Sequence, residues 1–284
     1  MSGAVQQVGL LYPGEMGAAL AQVLRCGGMD VATTLVGRSG ATIERATGAG
    51  MVVLDSLEAL VRQSDVVFSL VPPAAAEQVA ATYCELAHLS PPRAIFVEMN
   101  SVSPDLAASI ARQVSATGRS FVDGAINGLA RNLSASGTMF LSGERSDEIG
   151  VLFRDSVRVE VIGDEPGRAS AMKMLLSGMS KGVCGLFVEL ALVARRHEML
   201  PELTQQLSRI YPGIWQLIER MLPTYSQHAG RRATEMCELE ETARQCRVEP
   251  GVIKAIRLVH EAIAASEVPL PLESPAKRAD MTAV

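Results

Sequence analysis

The chain has 284 residues, of which 48% are hydrophobic, so it can bury a sizeable core in one large domain or, as we predict, in two. Its net charge of −5 and the scatter of its 26 basic residues argue against a nucleic-acid partner. No secretory signal opens the chain and no apolar run approaches the ~18 residues that span a bilayer, which indicates a cytoplasmic protein without a membrane partner. The five cysteines and four histidines are widely spaced, which predicts reduced thiols and no metal site.

The first half of the chain alternates short β-branched runs with helical stretches, the pattern of parallel βαβ units. The predicted strands cover residues 7–12, 31–36, 51–53, 66–71, 94–99, 121–125, 139–142 and 157–162. Helices are predicted between them at residues 15–25, 56–63, 74–87 and 104–116. Together these elements predict an α/β, doubly wound sheet of Rossmann type.

The second half reads as helix throughout. One long helix is predicted from Arg168 to Met199, in which Gly178 and Gly182 each cost about 1 kcal/mol relative to alanine unless they pack closely against a neighbour. Further helices are predicted at residues 202–211, 214–221, 231–246 and 251–265. We therefore expect a nucleotide-binding domain at 1–163, an all-α domain at 164–268 joined to it by the long helix, and a frayed tail at 269–284.

A glycine turn joins the first strand to the first helix and reads Tyr12-Pro13-Gly14-Glu15-Met16-Gly17. Backbone amides at a helix N-terminus bind anions, so a dinucleotide pyrophosphate is expected here. The first glycine of the usual G-x-G-x-x-G order is missing. Gly14 would allow close approach to the pyrophosphate, Gly17 close helix–strand packing, and Tyr12-Pro13 must make the tight turn. The alternative is a strand–turn–helix that binds no ligand.

The end of the second strand carries Arg38 and Ser39 where an NAD site normally has an acidic residue. The planar guanidinium donates two parallel hydrogen bonds to a phosphate, which predicts NADP rather than NAD; a solvated arginine is the alternative. Two further segments follow the fourth and fifth strands, whose ends line the same crevice. They are Leu70-Val71-Pro72, expected to contact the cofactor, and Asn100-Ser101, of which Asn100 is expected to contact cofactor and substrate and Ser101 the substrate.

These blocks, followed by residues 167–173, resemble in order and spacing the β-hydroxyacid dehydrogenase superfamily, which includes 6-phosphogluconate and 3-hydroxyisobutyrate dehydrogenases. The later part resembles a branch whose phosphogluconate-dehydrogenase-like C-terminal domain has few assigned substrates. The resemblance implies a homodimer formed through the helical domain. Two segments depart from the family pattern. In the substrate loop Asn127, before Gly128, replaces a serine and Leu129 replaces the second glycine, and in the long helix Ser177 replaces an asparagine. Asn127 and Gly128 remain predicted substrate-binding positions, but both departures point away from a simple hydroxyacid.

The resemblance assigns proton transfer to Lys173, because hydride leaving an alcohol carbon requires the hydroxyl proton to depart. Burial between two domains would lower the pKa of this lysine toward neutrality. Ser177 lies on the same helix face and would orient Lys173 or the substrate, and Lys181 is a second candidate two turns along. The alternative for Lys173 is an exposed charge on a long helix.

In the helical domain His228, Arg231, Arg232 and Glu235 have a spacing that places three or four of them on one helix face. His228 and Arg231 would bind an anionic substrate there, unless this face is solvated or contacts a subunit. The sequence thus predicts an NADP(H)-dependent oxidoreductase that transfers hydride to or from a small anionic hydroxy or carbonyl compound. Two alternatives are an imine reductase, in which Lys173 matters less, and a non-catalytic NADP-binding redox sensor.

Overall fold

The computed structural model of the protein describes residue 5 and residues 7–266. The chain forms two compact units that divide between Lys173 and Met174, within one long helix. The predicted tail at 269–284 lies outside the described residues, as do residues 267–268 of the predicted helical domain.

The first unit is built on one sheet of eight strands, and all eight were predicted. They are β1 (Gln7–Leu11), β2 (Asp30–Thr34), β3 (Val52–Leu54), β4 (Val66–Ser69), β5 (Ile95–Glu98), β6 (Ser120–Asn127), β7 (Thr138–Ser142) and β8 (Arg158–Val161). The strand order is β3-β2-β1-β4-β5-β6-β7-β8, and every pair is parallel except β6 with β7. The order reverses between β1 and β4, which is where such sheets bind ligands beyond the carboxyl ends of their strands.

The central strands are buried on both faces of the sheet, which explains the near-continuous apolar sequences of β4 and β5, whereas the edge strands β3 and β8 are more exposed. Along β1, Val8 and Leu10 enter one buried apolar cluster, whereas Leu11 enters the cluster on the other face. Helices cover the two faces: α1 (Glu15–Cys26), α2 (Gly40–Gly48), α3 (Leu57–Gln63), α4 (Ala76–Leu86), α5 (Pro104–Ala116), α6 (Leu133–Ser136) and α7 (Ser146–Val151). The doubly wound fold predicted from the sequence is confirmed.

Three of these helices were not predicted. Helix α2 has glycine at both ends and two threonines, so its intrinsic propensity is weak. It begins because Ser39 acts as its N-cap: the Ser39 hydroxyl accepts the Thr42 N–H at 3.3 Å. Helices α6 and α7 are only 4 and 6 residues long, too short for a periodic signal. Strand β2 also ends two residues earlier than predicted, which leaves Arg38 in the loop before α2.

The second unit is all helical in its described part, as predicted. Its helices are the later part of α8 (Arg168–Arg196), then α9 (Leu200–Ile210), α10 (Pro212–Met221), α11 (Ala229–Gln245) and α12 (Gly251–Ala264). Phe187 and Val188 of α8 pack with Ile218 and Tyr225 in a buried cluster. Gly178 is buried against the Leu239 side chain, the close packing that a glycine there permits, whereas a Cβ on Gly182 would meet no atom within 4 Å.

Helix α8 is long and apolar enough to cross a membrane by length and composition, so the expectation that no segment reaches that threshold was too strict. The apolar residues of α8 do not form an uninterrupted run because Lys173 and Lys181 lie among them. The inward side of α8 contributes Cys184, Phe187 and Ala191 to the core of the second unit. One side of α8 is therefore part of the core of the second unit, whereas other apolar residues of α8 are exposed.

Candidate functional site

The turn between β1 and α1 has the geometry of an anion site. Gly14 is the N-cap of α1 and supplies no side-chain cap. A Cβ added to Gly14 would meet no atom within 4 Å, so the space above this backbone is open to a ligand. The first-turn amides of α1 have no partner within the helix, and the helix dipole favours an anion beside them. A pyrophosphate therefore fits this turn.

Gly17 stands where α1 packs on the sheet. A Cβ there would lie 3.2 Å from Leu10 Cδ2 and 3.3 Å from Pro13 Cβ, so glycine suits this close helix–strand approach and a side chain would require these neighbours to shift. The packing role expected of the last glycine in the turn thus has a matching geometry. Met16, between the two glycines, packs partly buried against the same cluster as Leu10, and Glu15 is exposed on the first turn of α1.

Tyr12 occupies the place of the missing first glycine and adopts its backbone conformation, with φ at 52°. Non-glycine residues rarely take this left-handed conformation. The guanidinium carbon of Arg38 lies 4.0 Å from the centroid of the Tyr12 ring, and Arg38 Nε donates to the Val36 carbonyl at 3.3 Å. The structure thus brings together Arg38 and the glycine turn, which are 26 residues apart, and places Ser39 at the start of α2.

The loops after β4 and β5 are tied together by Asn100. The Asn100 Oδ1 atom accepts the Val71 N–H at 2.5 Å, and its Nδ2 donates to Ser69 Oγ at 3.0 Å. Asn100 is buried, so its side chain fixes the two loops. Leu70 and Val71 are half-buried, whereas Pro72 is exposed.

Two buried carboxylates, neighbours in the β5–β6 register, lie beneath these loops, and their roles there were not predicted. Glu98 Oε1 accepts the Asn100 N–H at 2.8 Å. Burial, and to a smaller extent the negative charge of Asp123, raises the pKa of Glu98 to about 7, although the hydrogen bonds from Asn100 act in the opposite direction. The signal available in the sequence was an acidic residue inside each of two apolar strands, since an acid buried there needs partners.

Asp123 anchors the N-terminus of α8. Its Oδ2 accepts the N–H groups of Gly167 and Ser170 at 2.9 and 3.0 Å, and its Oδ1 accepts the Ser170 hydroxyl at 2.7 Å. The Ser142 hydroxyl donates to Asp123 and accepts the Ala169 N–H at 3.1 Å. A carboxylate at a helix N-terminus satisfies unpaired amides and interacts favourably with the dipole. The start of α8 is thereby fixed to the middle of β6.

Lys173 follows within two turns of that anchor. Its Nζ donates to Ser101 Oγ at 2.6 Å, which places an ammonium group beside the loop that Asn100 fixes. Lys173 is partly exposed. The residue pair predicted to contact substrate, Ser101 and Lys173, is therefore in direct contact although 72 residues separate its members.

Lys181, the rival candidate, has a different environment in the second unit. It is buried, forms an ion pair with Glu235, and donates a hydrogen bond to Ser177 Oγ. Its ammonium is therefore already engaged by Glu235 and Ser177 inside this unit. Ser177 accordingly contacts Lys181, one turn after it on α8.

The four residues whose spacing predicted a shared face of α11 differ in their exposure to solvent. Arg231 is exposed and lies 3.5 Å from Glu235. Arg232 turns inward, with its guanidinium 4.5 Å from the centroid of the Tyr225 ring. His228 is the half-buried N-cap of α11, and burial together with the positive charges of Arg231 and Arg232 lowers its pKa.

Asn127 and Gly128 lie at the end of β6. Asn127 is exposed and pairs with Thr138 of β7 in the antiparallel register. A Cβ on Gly128 would lie 3.0 Å from the Gly137 Cα, so glycine is required where the two chain segments approach. Among the residues that the structure describes, no group of three His, Cys, Asp or Glu side chains is arranged to hold a metal ion.

Comparison with known proteins identifies the class. The sequence profile of the NAD binding domain of 6-phosphogluconate dehydrogenase matches residues 7–149, and a domain of unknown function (DUF1932) matches residues 194–263. With this fold and this turn, the match defines an NAD(P)-dependent oxidoreductase of the hydroxyacid dehydrogenase type. The chain belongs to the 6-phosphogluconate dehydrogenase-like family, in the branch that carries the domain of unknown function.

Three relatives illustrate this placement. An uncharacterized 28.5 kDa protein of Methanothermus fervidus is 29% identical over 252 residues, which cover 88% of this chain and 96% of that protein. The conserved protein MTH1747, of unknown function and described as structurally similar to 3-hydroxyacid dehydrogenases, is 30% identical with a TM-score of 0.75, over 90% of this chain and 96% of that one. The 3-hydroxyisobutyrate dehydrogenase of Mycobacterium tuberculosis has a TM-score of 0.77 at 15% identity, over 94% and 96% of the two chains, and shares the fold.

Proposed function

We propose that the protein is an NADP(H)-dependent oxidoreductase that transfers hydride between the nicotinamide and a small anionic hydroxy or carbonyl compound. The observation that carries this proposal is the hydrogen bond from Lys173 Nζ to Ser101 Oγ, 2.6 Å long, at the carboxyl end of β5. Open sheets of this kind bind dinucleotides at that edge. When bound, the cofactor donates or accepts the hydride, and the residues of the chain position both reactants and move the proton.

The proposed cofactor site uses backbone more than side chains. The first-turn amides of α1 above Gly14 would hold the pyrophosphate, and Met16 and Gly17 lie in that same turn. Arg38 would donate its planar fork to the 2′-phosphate, with the positive end of α2, capped by Ser39, directly after it. The loop of Leu70, Val71 and Pro72, fixed by Asn100, would contact the remainder of the dinucleotide.

Lys173 is the proposed proton-transfer group at the substrate oxygen. During oxidation it would accept the hydroxyl proton, and during reduction it would return that proton while its positive charge stabilises the developing alkoxide. Its hydrogen bond to the Ser101 hydroxyl places Nζ at the loop after β5, beside the proposed substrate position. Lys181 suits this role less because its ammonium group is already in an ion pair with Glu235. Ser177, bonded to Lys181, is proposed to orient substrate instead.

Substrate binding by the other predicted residues is likewise a proposal. Asn127 is exposed at the end of β6 beside Gly128, where its amide can donate a hydrogen bond to an oxygen of the substrate. In the second unit, Arg231 is an exposed cation whose contact with Glu235 is 3.5 Å long, and such a surface pair contributes little and exchanges easily. An anionic substrate would compete for Arg231, and His228 lies one turn before it on the same segment.

We also propose a homodimer formed through the helical unit. Helix α8 has an exposed apolar stripe at the helical period: Leu175, Met179, Leu186, Leu190 and Val193. Gly182 lies in this stripe, and the open space above it leaves room for a second backbone. A continuous apolar stripe of this kind usually covers itself with a partner, and a second copy presents the same stripe. A cytoplasmic location remains a prediction.

The experiment has two stages. Titration of the purified protein with NADPH and NADH, followed by nucleotide fluorescence, tests cofactor binding; turnover is then assayed over a panel of hydroxy acids, aldehydes, ketones and cyclic imines. We expect K173A to lower kcat by about 100-fold, the lower end of what a general acid–base contributes, and K181A, the matched control, to lower it much less. Binding without turnover on any compound would favour the redox sensor. Turnover of imines alone, undiminished in K173A, would favour an imine reductase.

A further inference from the structure

Tyr12 has an unusual backbone conformation at the most constrained point of the cofactor turn. With φ at 52° it is one of three non-glycine residues with a positive φ in the described part of the chain. The position is the one at which the fingerprint normally has glycine, because glycine takes such a conformation without strain. A strained residue persists where its surroundings hold it, and such residues cluster at ligand sites.

The Tyr12 ring is held by the sheet and carries Arg38. It is partly buried against the apolar cluster that includes Leu11 and Leu60, so the ring has a fixed position. The Arg38 guanidinium lies over this ring, with Cζ 4.0 Å from the ring centroid, whereas Arg38 itself is exposed. An exposed arginine without such a contact samples many rotamers and loses entropy when it binds an anion.

The stacking contact leaves the hydrogen-bonding edge of Arg38 for a ligand. A cation–π interaction engages the face of the guanidinium and uses none of its N–H donors. The Nε donor is bonded to the Val36 carbonyl at 3.3 Å, which fixes the orientation of the side chain from the other end. The fork is thus oriented before a phosphate arrives, and this preorganisation increases affinity.

We infer that Tyr12 is a specificity-determining residue, which holds Arg38 in place for the 2′-phosphate and so strengthens the preference for NADPH over NADH. The inference rests on the proposed cofactor site and adds to it a residue that does not itself bind the phosphate. It also gives a reason why Tyr12 replaces the usual glycine. A glycine would remove the backbone strain but would leave the Arg38 guanidinium without an aromatic ring to stack on.

The test compares dissociation constants for NADPH and NADH, measured by nucleotide fluorescence on the full chain. We expect Tyr12→Gly to weaken NADPH binding about two- to fivefold, the range of an exposed cation–π contact, and to leave NADH binding unchanged. Tyr12→Phe keeps the ring and is expected to keep the preference. Tyr12→Leu keeps an apolar side chain but has no π face, and it is expected to behave like Tyr12→Gly. The leucine variant therefore tests the inference even if the glycine variant does not fold.

Glu198→Gly is the matched control, because it removes a positive-φ side chain at 58° far along the chain from the turn. It is expected to leave both dissociation constants unchanged. An unchanged NADPH to NADH ratio in Tyr12→Gly and Tyr12→Leu would overturn the inference and leave the cofactor proposal intact. Equal tightening of both nucleotides would also overturn it, since Tyr12 would then be an obstruction. Failure of the unaltered protein to bind either nucleotide would instead reject the proposed function.

Discussion

His260 predicts a specific dependence of stability on pH in the helical unit. Its side chain on α12 is fully buried, and Nδ1 lies 3.0 Å from the Tyr225 hydroxyl. Burial, together with the positive charges of Arg232 and Lys181, lowers the pKa of His260 to about 4. The folded protein therefore keeps this imidazole neutral under conditions in which the unfolded chain protonates it.

The magnitude follows from linkage. Below pH 6.5 the imidazole of the unfolded chain is protonated, whereas that of the folded protein stays neutral down to about pH 4. The free energy of unfolding therefore decreases as the pH is lowered through this range. Between pH 7 and pH 5 this single group removes about 2 kcal/mol from the free energy of unfolding, and the full difference at lower pH is about 3 kcal/mol. Such a loss is a large fraction of the stability of an ordinary domain.

The assay uses the single tryptophan of the chain as a local reporter. Trp215 lies in α10 of the same unit, with its ring 5.7 Å from that of Phe187, so its fluorescence reports on the core that contains His260. Urea unfolding is measured at pH 7, 6 and 5 for the unaltered protein and for His260→Gln, which keeps a polar partner for Tyr225 but does not titrate. We expect the difference in free energy of unfolding between the two proteins to change by about 2 kcal/mol across this range. Parallel pH profiles would refute a neutral, buried His260.

Three further substitutions test the start of α8, the buried carboxyl group below the loop after β5, and the exposed apolar stripe of α8. Gly167→Ala forces a side chain onto a backbone with φ at 98° and places its Cβ 2.8 Å from the Pro104 carbonyl oxygen, so we expect a loss of about 2 kcal/mol in the unfolding free energy followed by circular dichroism. Glu98→Gln removes a carboxyl group whose pKa is raised by burial to about 7. Above pH 4.5 the unfolded chain loses this proton more readily than the folded protein does, so the unaltered protein becomes less stable as the pH rises. We expect the unfolding free energy of the variant to increase by about 3 kcal/mol relative to that of the unaltered protein between pH 4.5 and pH 8. Leu186→Lys places a charge in the exposed stripe of α8, and we expect light scattering after size exclusion to show the mass of a monomer instead of a dimer.

Each of these changes has a matched control. Gly48→Ala alters a glycine with open space around it and no positive φ, and an equal loss of stability there would contradict the steric argument for Gly167. Glu144→Gln removes an exposed carboxylate, and the same pH profile in both glutamate variants would contradict a role for burial. Val252→Lys charges the most exposed of the large apolar side chains, and a dimer that survives Leu186→Lys would place the interface elsewhere.

The sequence by itself determined the class of the fold and the order of its elements. Short β-branched runs separated by helical stretches predicted all eight strands, because the central strands of a parallel sheet are buried on both faces and are apolar along their length. The glycine turn also followed from the sequence, since close approach of α1 to the sheet requires the absence of a Cβ at Gly17. Helix α2 was missed because its stability depends on the Ser39 cap and on packing rather than on propensity.

Tertiary structure alone decided which residues meet. No periodicity could place Tyr12 beneath Arg38, or Ser101 against Lys173, because these contacts depend on strand order and on the anchoring of α8 by Asp123. The sequence offered Lys173 as the first candidate for proton transfer and Lys181, two turns along the same helix, as the second, and the structure shows that their surroundings differ. A charge acquires its chemistry from its neighbours: a serine hydroxyl contacts Lys173, whereas Glu235 pairs with Lys181.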